Sequence, residues 1–576
     1  MKKVFLVYAL VMISLFVAVP SLSANEGFAG RTLTIYNVAD YISTNDSDYV
    51  DLIEKFENEY NVTVNYYTYD TNETMYNQFK LQKEGTYDLV CTSDYMIQKM
   101  IKEDLVIPYD DLTTAVPNYA KYASSALRAK LRNMTVAKGD EIVNLDDYAV
   151  GYMWGTLGIV YNPEVVDSED VKSWDAFYDE DYKNLISIKN SIRDAFVVGV
   201  MHSYSKEADF IELKNAYLEN PNEINKQKYN EKIQNVFDLT GTDSQILEKI
   251  ARVKQELINL KENIFGFEVD SGKNDIVSGD KIQMNLAYSG DAVFSIGEAD
   301  SVGKTLEYSV PLDGSNIWYD AWVLPKGSTN KDLAYEFLNF LSDPKNASDN
   351  MDYIGYTPYI VGDEIFTLTG SWYGATDYCV SSAYYAYVEE DDFGGEMVIY
   401  NDELFTCIKD KPSDLLVYPT DEEYFESCEY DSTATYSYAD MVSYNGKIYN
   451  CISEDDTTEP ITNTNAWEEV EPYDLEFLFS GTLTEGRRAL VYPFFGSLNS
   501  LQTQYPSEEI IARCAIMNDF GSWNEDVVIM WGQVKAYTNM LPVYIFLSLF
   551  ALIIIILITF TLIRRRMIYN FKKHSK

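Results

Sequence analysis

Residues 32–91 decide the fold: TLTIYNVADYISTNDSDYVDLIEKFENEYNVTVNYYTYDTNETMYNQFKLQKEGTYDLVC. Short segments with alternating or continuous apolar residues are separated by segments in which apolar residues recur at helical spacing. We therefore predict strands at 32–38, 61–66 and 87–91 and helices at 48–60 and 72–82. Strands and helices that alternate through short links form right-handed βαβ units with a largely parallel sheet. Ligands of such sheets bind beyond the carboxyl ends of strands, which here are residues 37–41 and 92–95.

A second α/β stretch runs from Tyr148 to about Leu324 and contains a long amphipathic, charge-rich insertion at 205–263. A helix predicted at Asn330–Leu341 closes this part of the chain. Two α/β lobes with the chain crossing between them form a cleft, and clefts between domains are common ligand sites.

Residues 385–473 differ from their surroundings because they are rich in Asp, Glu, Tyr and Thr and poor in helix formers. Residues 395–408 recur at 439–452, with an offset of 44 residues. Each copy predicts a β-hairpin, with its turn at Asn401-Asp402 or at Asn445-Gly446. Residues 474–535 return to α/β composition, with a helix predicted at 523–537. The predicted domains are a two-lobed domain at 25–372 and 474–535 and two β modules at 385–430 and 431–473.

The charge of the chain is strongly negative, since 45 Lys and Arg face 90 Asp and Glu among 576 residues. A chain with a net charge of −45 is repelled by nucleic acid, so we expect no nucleic-acid partner. Two His residues leave little room for His-based metal sites, and we expect neither a metal nor a cofactor. The 48 Tyr residues together with the acid excess suit an organic cation as ligand, or a soluble surface at high salt.

Both ends of the chain carry membrane-related patterns. Lys2 and Lys3, an apolar run at 4–19 and small residues up to Ala24 predict a signal peptide at 1–24; an uncleaved anchor is the alternative. Residues 540–563 form a 24-residue apolar run, which as a helix of about 36 Å spans a bilayer. The basic tail at 564–576 then lies in the cytoplasm, and the bulk of the chain lies on the extracytoplasmic side of the cell membrane.

Trp318 and Asp320 are the residue pair that most directly indicates a ligand. They are two positions apart on a predicted strand, so both side chains project from the same face. A carboxylate beside an indole suits an ammonium group, through charge-assisted hydrogen bonds and a cation–π contact. An enzymatic function is not expected, because the sequence contains no nucleophile motif, phosphate-binding loop or metal-ligand spacing. Gly290-Asp291 is interpreted as a turn.

Several motifs, taken in order, resemble the spermidine/putrescine-binding proteins of ABC importers over about residues 30–365 and, more weakly, 474–535. These motifs are Leu33–Asn37, Asp40-Tyr41, Asn72–Tyr76, Tyr87–Val90, Ser93–Tyr95, Asn316–Asp320, Pro325–Gly327, Tyr335–Leu341, Asp343-Pro344 and Ile354–Pro358. The resemblance implies a two-lobed periplasmic-binding-protein-like (type II) α/β fold that closes on a polyamine and passes it to a permease. A small all-β insertion and a C-terminal transmembrane helix are added to this fold here.

The resemblance places nine residues at or beside ligand-contacting positions of that family: Asp40, Tyr41, Ser93, Tyr95, Asp194, Tyr288, Trp318, Asp320 and Tyr356. The resemblance implies that Asp320 and Asp194 anchor opposite ammonium groups, with aromatic rings along the methylene chain between them. Tyr288 replaces a tryptophan of the family pattern. Three further positions also depart from that pattern, which leaves the preferred polyamine length open: Val38, Ser191 and Met517.

Each motif also has an interpretation without a ligand. Asp40-Tyr41 is also typical of a helix N-cap with a surface ring, and Ser93-Asp94 of a helix cap. Arg193-Asp194 is also typical of a structural ion pair, and Tyr356 of a packed turn residue.

The second repeat resembles chitin- or cellulose-type carbohydrate-binding modules through Val442–Tyr449 and Ala466–Glu468. The position that holds exposed tryptophans in such modules is Cys451–Asp455 here, so we favour a spacer or contact module over a sugar binder. The sequence as a whole predicts a membrane-anchored polyamine-binding component of an ABC importer. The alternative is a surface adhesin or sensor for another amine, an amino acid or cell-wall sugar.

Overall fold

The computed structural model of the protein describes residues 27–574, except residues 45, 47, 270, 380–395 and 410–415. The predicted signal peptide at 1–24 lies outside the described residues. The strands are β1 Thr32–Val38, β2 Thr63–Tyr69, β3 Leu89–Ser93, β4 Val106–Ile107, β5 Thr135–Lys138, β6 Glu141–Asn144, β7 Val150–Tyr161, β8 Ile186–Lys189, β9 Gly266–Glu268, β10 Met284–Tyr288, β11 Glu307–Ser309, β12 Ser315–Pro325, β13 Thr357–Pro358, β14 Gly374–Asp377, β15 Met397–Tyr400, β16 Glu403–Cys407, β17 Phe425–Ser427, β18 Met441–Tyr444, β19 Lys447–Cys451, β20 Trp467–Glu469, β21 Tyr473–Asp474, β22 Leu490–Pro493 and β23 Cys514–Ala515.

The α-helices are α1 Leu52–Tyr60, α2 Asn72–Leu81, α3 Asp94–Lys102, α4 Leu112–Ala115, α5 Pro117–Tyr122, α6 Ser125–Asn133, α7 Ile192–Tyr204, α8 Ala208–Glu219, α9 Glu223–Phe237, α10 Asp243–Lys261, α11 Gly272–Ser278, α12 Ser289–Ser301, α13 Lys331–Leu341, α14 Pro344–Ile354, α15 Asp363–Tyr373, α16 Glu476–Phe479, α17 Leu498–Gln504, α18 Glu508–Ala512, α19 Asn524–Ala536 and α20 Leu541–His574.

The first five elements match the predicted order of strand, helix, strand, helix, strand, and β1 pairs in parallel with both β2 and β3. Helix α1 begins at Leu52 rather than at residue 48, because the Asp51 side chain caps it by accepting from the Glu54 N–H. Strand β2 continues to Tyr69 because its pairing with β1 extends to Val38. The strand–helix alternation of the sequence therefore predicts the fold here, while the element ends depend on caps and pairing.

Two long antiparallel strands, β7 and β12, connect the lobes. The strand order of the main sheet is β2-β1-β3-β12-β7-β10-β8-β9. We call lobe 1 the part built on β1, β2 and β3 with residues 320–325 of β12 and 150–156 of β7. Lobe 2 is the part built on β8, β9 and β10 with residues 157–161 of β7. The insertion at 205–263 forms helices α8, α9 and α10, and α10 packs on α7 in lobe 2.

Both predicted hairpins are present, as β15–β16 and β18–β19. Asn401 and Asp402 have φ of 55° and 63°, and Asn445 and Gly446 have φ of 52° and 73°. Two successive left-handed residues are typical of the type I′ turn that favours tight hairpins. The first hairpin belongs to a six-stranded sheet with β14, β17, β21 and β22, and the second forms a three-stranded sheet with β20. The likeness of the repeats to carbohydrate-binding modules stays a prediction.

The segment after the hairpins packs against the lobes again. Strand β23 pairs in parallel with the start of β12, and helix α19 packs on α10. Helix α20 follows after a four-residue link at 537–540 and is the one helix among the described residues long and apolar enough to cross a membrane. Its apolar span is Tyr544–Met567, with a mean hydropathy of 3.0 and none of it buried. It is therefore a candidate membrane span, and the basic residues after 563 continue the same helix.

Candidate ligand-binding site between the lobes

Trp318 and Asp320 lie where β12 passes from one lobe to the other. Trp318 lies opposite Gly155 of β7, and Asp320 lies opposite Ser93 of β3. A Cβ atom at position 155 would lie 2.6 Å from Cζ2 of Trp318, so glycine is what allows the indole to rest on β7. The indole is buried, and no described residue forms a hydrogen bond with its Nε1.

Four of the predicted aromatic residues form one continuous row of rings. The Tyr288 and Trp318 centroids are 5.8 Å apart, and those of Trp318 and Tyr356 are 5.7 Å apart. Tyr356 in turn lies 5.2 Å from Tyr41, with the two rings perpendicular. These spacings are those of favourable edge-to-face and tilted aromatic contacts. The structure therefore brings together residues from four separate segments of the sequence.

The Asp320 carboxylate lies next to Tyr41, at one end of the row of rings. The Tyr41 hydroxyl donates a 2.8 Å hydrogen bond to Oδ2, whereas Oδ1 is buried with no hydrogen-bond partner among the described residues. Burial raises the carboxyl pKa of Asp320 to about 6, and the hydroxyls of Ser93 and Tyr41 oppose this increase. A buried acceptor without a partner is costly, so this oxygen favours a donor from a ligand.

Asp194 stands at the Tyr288 end of the row, on the first turn of α7 in lobe 2. Its Oδ2 accepts a 2.6 Å hydrogen bond from the Tyr288 hydroxyl, and its backbone N–H is capped by Ser191. Burial raises the carboxyl pKa of Asp194, and the bond from Tyr288 is the largest opposing effect. Asp320 and Asp194 are thus connected through the contacts of the four aromatic rings.

Ser93 and Asp40, two further predicted site residues, differ in their contacts. Ser93 ends β3, and its hydroxyl accepts from the Asn72 side-chain amide at 2.9 Å. Asp40 is exposed, in a left-handed conformation with φ of 51° after β1, and the cap of α1 is Asp51. Among the described residues, no hydrogen bond, ion pair or ring contact joins Asp40 to the other eight predicted positions.

Tyr95 is covered by a cation of the protein itself. The guanidinium carbon of Arg193 lies 3.7 Å from the Tyr95 ring centroid, and the Tyr95 hydroxyl donates to Glu73 at 2.9 Å. Arg193 does not form the ion pair with Asp194 that the sequence allowed; it donates instead to the Met517 and Asn518 carbonyls. Tyr95 therefore lies outside the row formed by the other four rings.

Asp94 was not among the nine predicted contact positions, although it lies within the strand end at 92–95 that the sequence indicated. Asp94 is buried and accepts from the backbone N–H groups of Tyr95 and Tyr319 at 2.5 and 3.1 Å. Burial raises its carboxyl pKa to about 7; Arg193 opposes the increase and Asp320 adds to it. The sequence feature that could have identified Asp94 as a site residue was its position just beyond a strand end. That position is equally typical of a helix cap.

A buried ion pair behind Tyr356 was also missed. Asp291 lies in the first turn of α12 rather than in the expected turn, because helix α12 begins at Ser289. It accepts a 2.8 Å hydrogen bond from the Tyr356 hydroxyl and pairs with Lys189 at 2.7 Å. These contacts fix the orientation of the Tyr356 ring.

Residues 51–361 match the profile of a family described as bacterial extracellular solute-binding protein. The chain belongs to this family. The extracytoplasmic solute-binding role and the periplasmic-binding-protein-like α/β fold expected from the sequence are thereby confirmed. The match ends at residue 361, before the hairpins and helix α20.

The curated relatives are named for polyamines. The spermidine/putrescine-binding periplasmic protein of Salmonella typhimurium is 26% identical over 352 residues, which are 60% of this chain and 83% of that protein. The putrescine-binding periplasmic protein PotF of Escherichia coli is 27% identical over 347 residues, which are 59% and 80% of the two chains. Among solved structures, a putative spermidine/putrescine ABC transporter from Listeria monocytogenes is 29% identical and has a TM-score of 0.43. The match covers 57% of this chain and 83% of the Listeria chain.

Proposed function

We propose that this solute-binding protein is the polyamine receptor of an ABC importer, with putrescine or spermidine as its ligand class. The observation that carries the proposal is the buried carboxylate of Asp320 beside the row of four aromatic rings, whose Oδ1 has no hydrogen-bond donor among the described residues. The names of the curated relatives support the same ligand class.

The chemistry of a polyamine fits this arrangement. An ammonium N–H completes the hydrogen bonding of Asp320, and a second ammonium is attracted to Asp194. The ring faces of Trp318 and Tyr356 suit methylene groups and add cation–π attraction of about 0.5–2 kcal/mol. An ammonium group does not satisfy the Trp318 Nε1, because both are donors. The proposal therefore rests on the acids and the ring faces.

A ligand in this site would contact residues from both lobes and would therefore favour their closure. Asp320 and Tyr41 belong to lobe 1, whereas Asp194 and Tyr288 belong to lobe 2, so a ligand that contacts both acids links the lobes. The strands β7 and β12 connect the lobes and are the segments that bend when the lobes open. Closure over the ligand gives the permease a surface that differs from that of the open protein.

The membrane arrangement is part of the proposal. Helix α20 would tether the receptor, with residues Arg564, Arg565 and Arg566 on the cytoplasmic side. The division into a two-lobed domain with β modules at 385–430 and 431–473 remains a proposal, with the modules as a spacer or contact element.

Calorimetric titration of the full chain in lipid nanodiscs tests the function. Saturable binding of putrescine or spermidine with a micromolar or lower Kd at physiological salt is expected. Arginine and glutamate serve as non-polyamine controls. An absence of heat with either polyamine, from protein that shows cooperative thermal unfolding, would reject the polyamine assignment.

A further inference from the structure

A short segment at residues 515–520 connects lobe 2 to helix α3 of lobe 1. The segment belongs to lobe 2, because three of its side chains lie in the hydrophobic core that contains α7: Ala515, Met517 and Phe520. Its 517 and 518 carbonyls also accept 2.6 Å hydrogen bonds from Arg193 of α7. Helix α3 follows β3 directly, and its apolar residues pack in the core around β1 and β3 of lobe 1. A contact between the 515–520 segment and α3 therefore joins the two lobes.

Gln98 of α3 bonds to this segment through both ends of its side-chain amide. Its Nε2 donates to the Asn518 side-chain oxygen at 3.0 Å, and its Oε1 accepts from the Asp519 backbone N–H at 3.3 Å. Gln98 is buried, and Asn518 is held on lobe 2 by a 3.0 Å hydrogen bond from its own amide to Asp238, just after α9. Both polar atoms of the Gln98 amide are thus bonded to the other lobe.

Lys102 adds an ion pair one turn farther along α3. Its Nζ lies 3.1 Å from Oδ2 of Asp519, whose side chain is 4% exposed. The other oxygen of this carboxylate accepts from Asn524 at the start of α19, at 2.7 Å. Burial favours a higher carboxyl pKa for Asp519, but the contacts with Asn524 and Lys102 hold the pKa below its ordinary value. The carboxylate is therefore ionised, and lobe 2 holds it in place to receive Lys102.

These contacts lie on the helix that begins at the ligand site. Asp94, Gln98 and Lys102 are four residues apart, so they lie on one face of α3. Asp94 begins the helix and lies close enough to Asp320 for the two charges to interact. Among the described residues, no hydrogen bond or ion pair joins Gln98 or Lys102 to the nine predicted ligand positions. The two residues therefore act on the position of the lobes and not on the ligand itself.

Closure without a ligand is unfavourable at this site. A closed site buries the Asp320 carboxylate, and no described residue donates to its Oδ1. A buried acceptor without a partner is costly, so the ligand-free receptor favours the open form. Contacts that exist only between closed lobes then contribute chiefly to the ligand complex.

We propose that Gln98, Lys102 and the 515–520 segment form a latch that holds the closed lobes together and sets how long a polyamine stays bound. This inference rests on the proposed polyamine function and deepens it. The latch bonds break when the lobes separate, so they stabilise the closed complex and slow ligand release. Because the latch does not contact the ligand, it raises the affinity for putrescine and for spermidine by the same factor.

Ligand release from the full chain in nanodiscs tests the latch, with stopped-flow tryptophan fluorescence for koff and calorimetry for Kd. Lys102→Met removes the cation and Asp519→Asn removes its partner, and each should raise koff about fivefold for both polyamines, with kon unchanged. The double variant should release ligand no faster than the single variants, because the two residues act through one contact. Lys99→Met is the matched control, since Lys99 of the same helix lies 4.7 Å from the ring centroid of Tyr76 in lobe 1 and should leave koff unchanged.

The outcomes separate the latch from the function on which it rests. Wild-type koff in folded K102M and D519N, a multiplied effect in the double variant, or a change for one polyamine alone overturns the latch while polyamine binding stands. No wild-type binding of either polyamine overturns the proposed function itself. If D519N does not fold, K102M decides together with Gln98→Met, which removes the two amide bonds and should also speed the release of both ligands.

Discussion

The Tyr41 hydroxyl donates a 2.8 Å hydrogen bond to Oδ2 of Asp320, while Oδ1 of the same carboxylate is buried with no hydrogen-bond partner in the part of the chain that the structure describes. The bond holds the carboxylate in a fixed orientation, and the Ser93 hydroxyl is the other protein group that acts on it. Among the described residues, no donor completes a hydrogen bond to the second oxygen, which favours a donor from a ligand. An unmade hydrogen bond at a buried acceptor costs about 1–3 kcal/mol, so binding of a donor there recovers that free energy.

Asp320→Asn should remove most of the polyamine affinity, because the amide keeps the shape of the side chain but removes the charge. We expect Kd to rise at least 100-fold, in line with the loss of about 2–5 kcal/mol when one partner of a buried charge pair is removed. Isothermal titration of both forms measures the change. Asp40→Asn is the matched control, because Asp40 is exposed and should change Kd less than threefold. A D320N chain that binds within threefold of wild type would contradict the site assignment.

Polyamine affinity should depend on pH between about 5 and 8. The carboxyl pKa values of Asp320 and Asp94 are about 6 and about 7, above the ordinary value of 3.8, chiefly because both groups are buried. A cation binds the ionised form, so affinity should rise about tenfold from pH 5 to pH 8 and level off above that. The charges of Asp194, Arg193 and Lys189 also face this region, so the D320N chain serves to isolate the contribution of Asp320.

Asp320 should affect the stability of the ligand-free chain with the opposite pH dependence. Its contribution to polyamine affinity rises with pH, whereas its contribution to folding stability should fall. Its pKa is higher in the folded chain than in the unfolded chain, so the folded state binds more protons between about pH 4 and 6. This group therefore stabilises the fold at low pH, and its contribution is lost as pH rises through about 6. Thermal melting of wild type and D320N from pH 4.5 to 8 measures the difference. A difference in Tm that does not change with pH would contradict the raised pKa.

The sequence predicted those features of the site that depend on spacing within one element. Trp318 and Asp320 could be paired from their spacing on one strand, since alternation along a strand is a backbone property. The contact of Arg193 with Tyr95 could not be predicted from spacing, because the residues belong to different lobes and meet only through lobe packing. The buried ion pair of Lys189 and Asp291 could not be predicted from spacing either, because these residues are 102 positions apart in the chain and meet only when lobe 2 folds.

Gly155→Ala should displace Trp318 and weaken both stability and binding. The added Cβ would lie 2.4 Å from the Ser289 Oγ and 2.6 Å from Cζ2 of Trp318, which is closer than real contacts allow. Overpacking of this kind costs about 1–3 kcal/mol of unfolding free energy, and a displaced indole should raise the polyamine Kd at least tenfold. Chemical denaturation and titration measure the two effects.

Gly297→Ala is the control for that substitution. Gly297 lies on the exposed side of α12 with no atom within 4 Å of the added Cβ, so the change should stabilise the chain by about 0.5–1 kcal/mol. Wild-type stability and affinity in G155A would contradict the tight contact of the indole with β7.

Lys261 should fix the end of α19 that leads into the candidate membrane span. Its Nζ donates to the carbonyls of Val534, Lys535 and Tyr537 at 3.1, 2.5 and 2.8 Å, so the last turn of the helix is bound to lobe 2. A lysine at a helix C-terminus satisfies unpaired carbonyls and interacts favourably with the helix dipole. If helix α20 crosses the membrane as proposed, lobe 2 rather than lobe 1 is the lobe that this contact holds next to it.

Lys261→Met removes these three bonds and should free the last turn of α19 without changing the ligand site. We expect amide hydrogen exchange at residues 530–537 to accelerate about tenfold, since local opening becomes easier by about 1–2 kcal/mol, with polyamine Kd unchanged. Lys254→Met is the control, because Lys254 makes a single 3.1 Å bond to the Gln533 side chain and should have little effect. Exchange at 530–537 that is equal in K261M and K254M would show that Lys261 does not hold α19 on lobe 2.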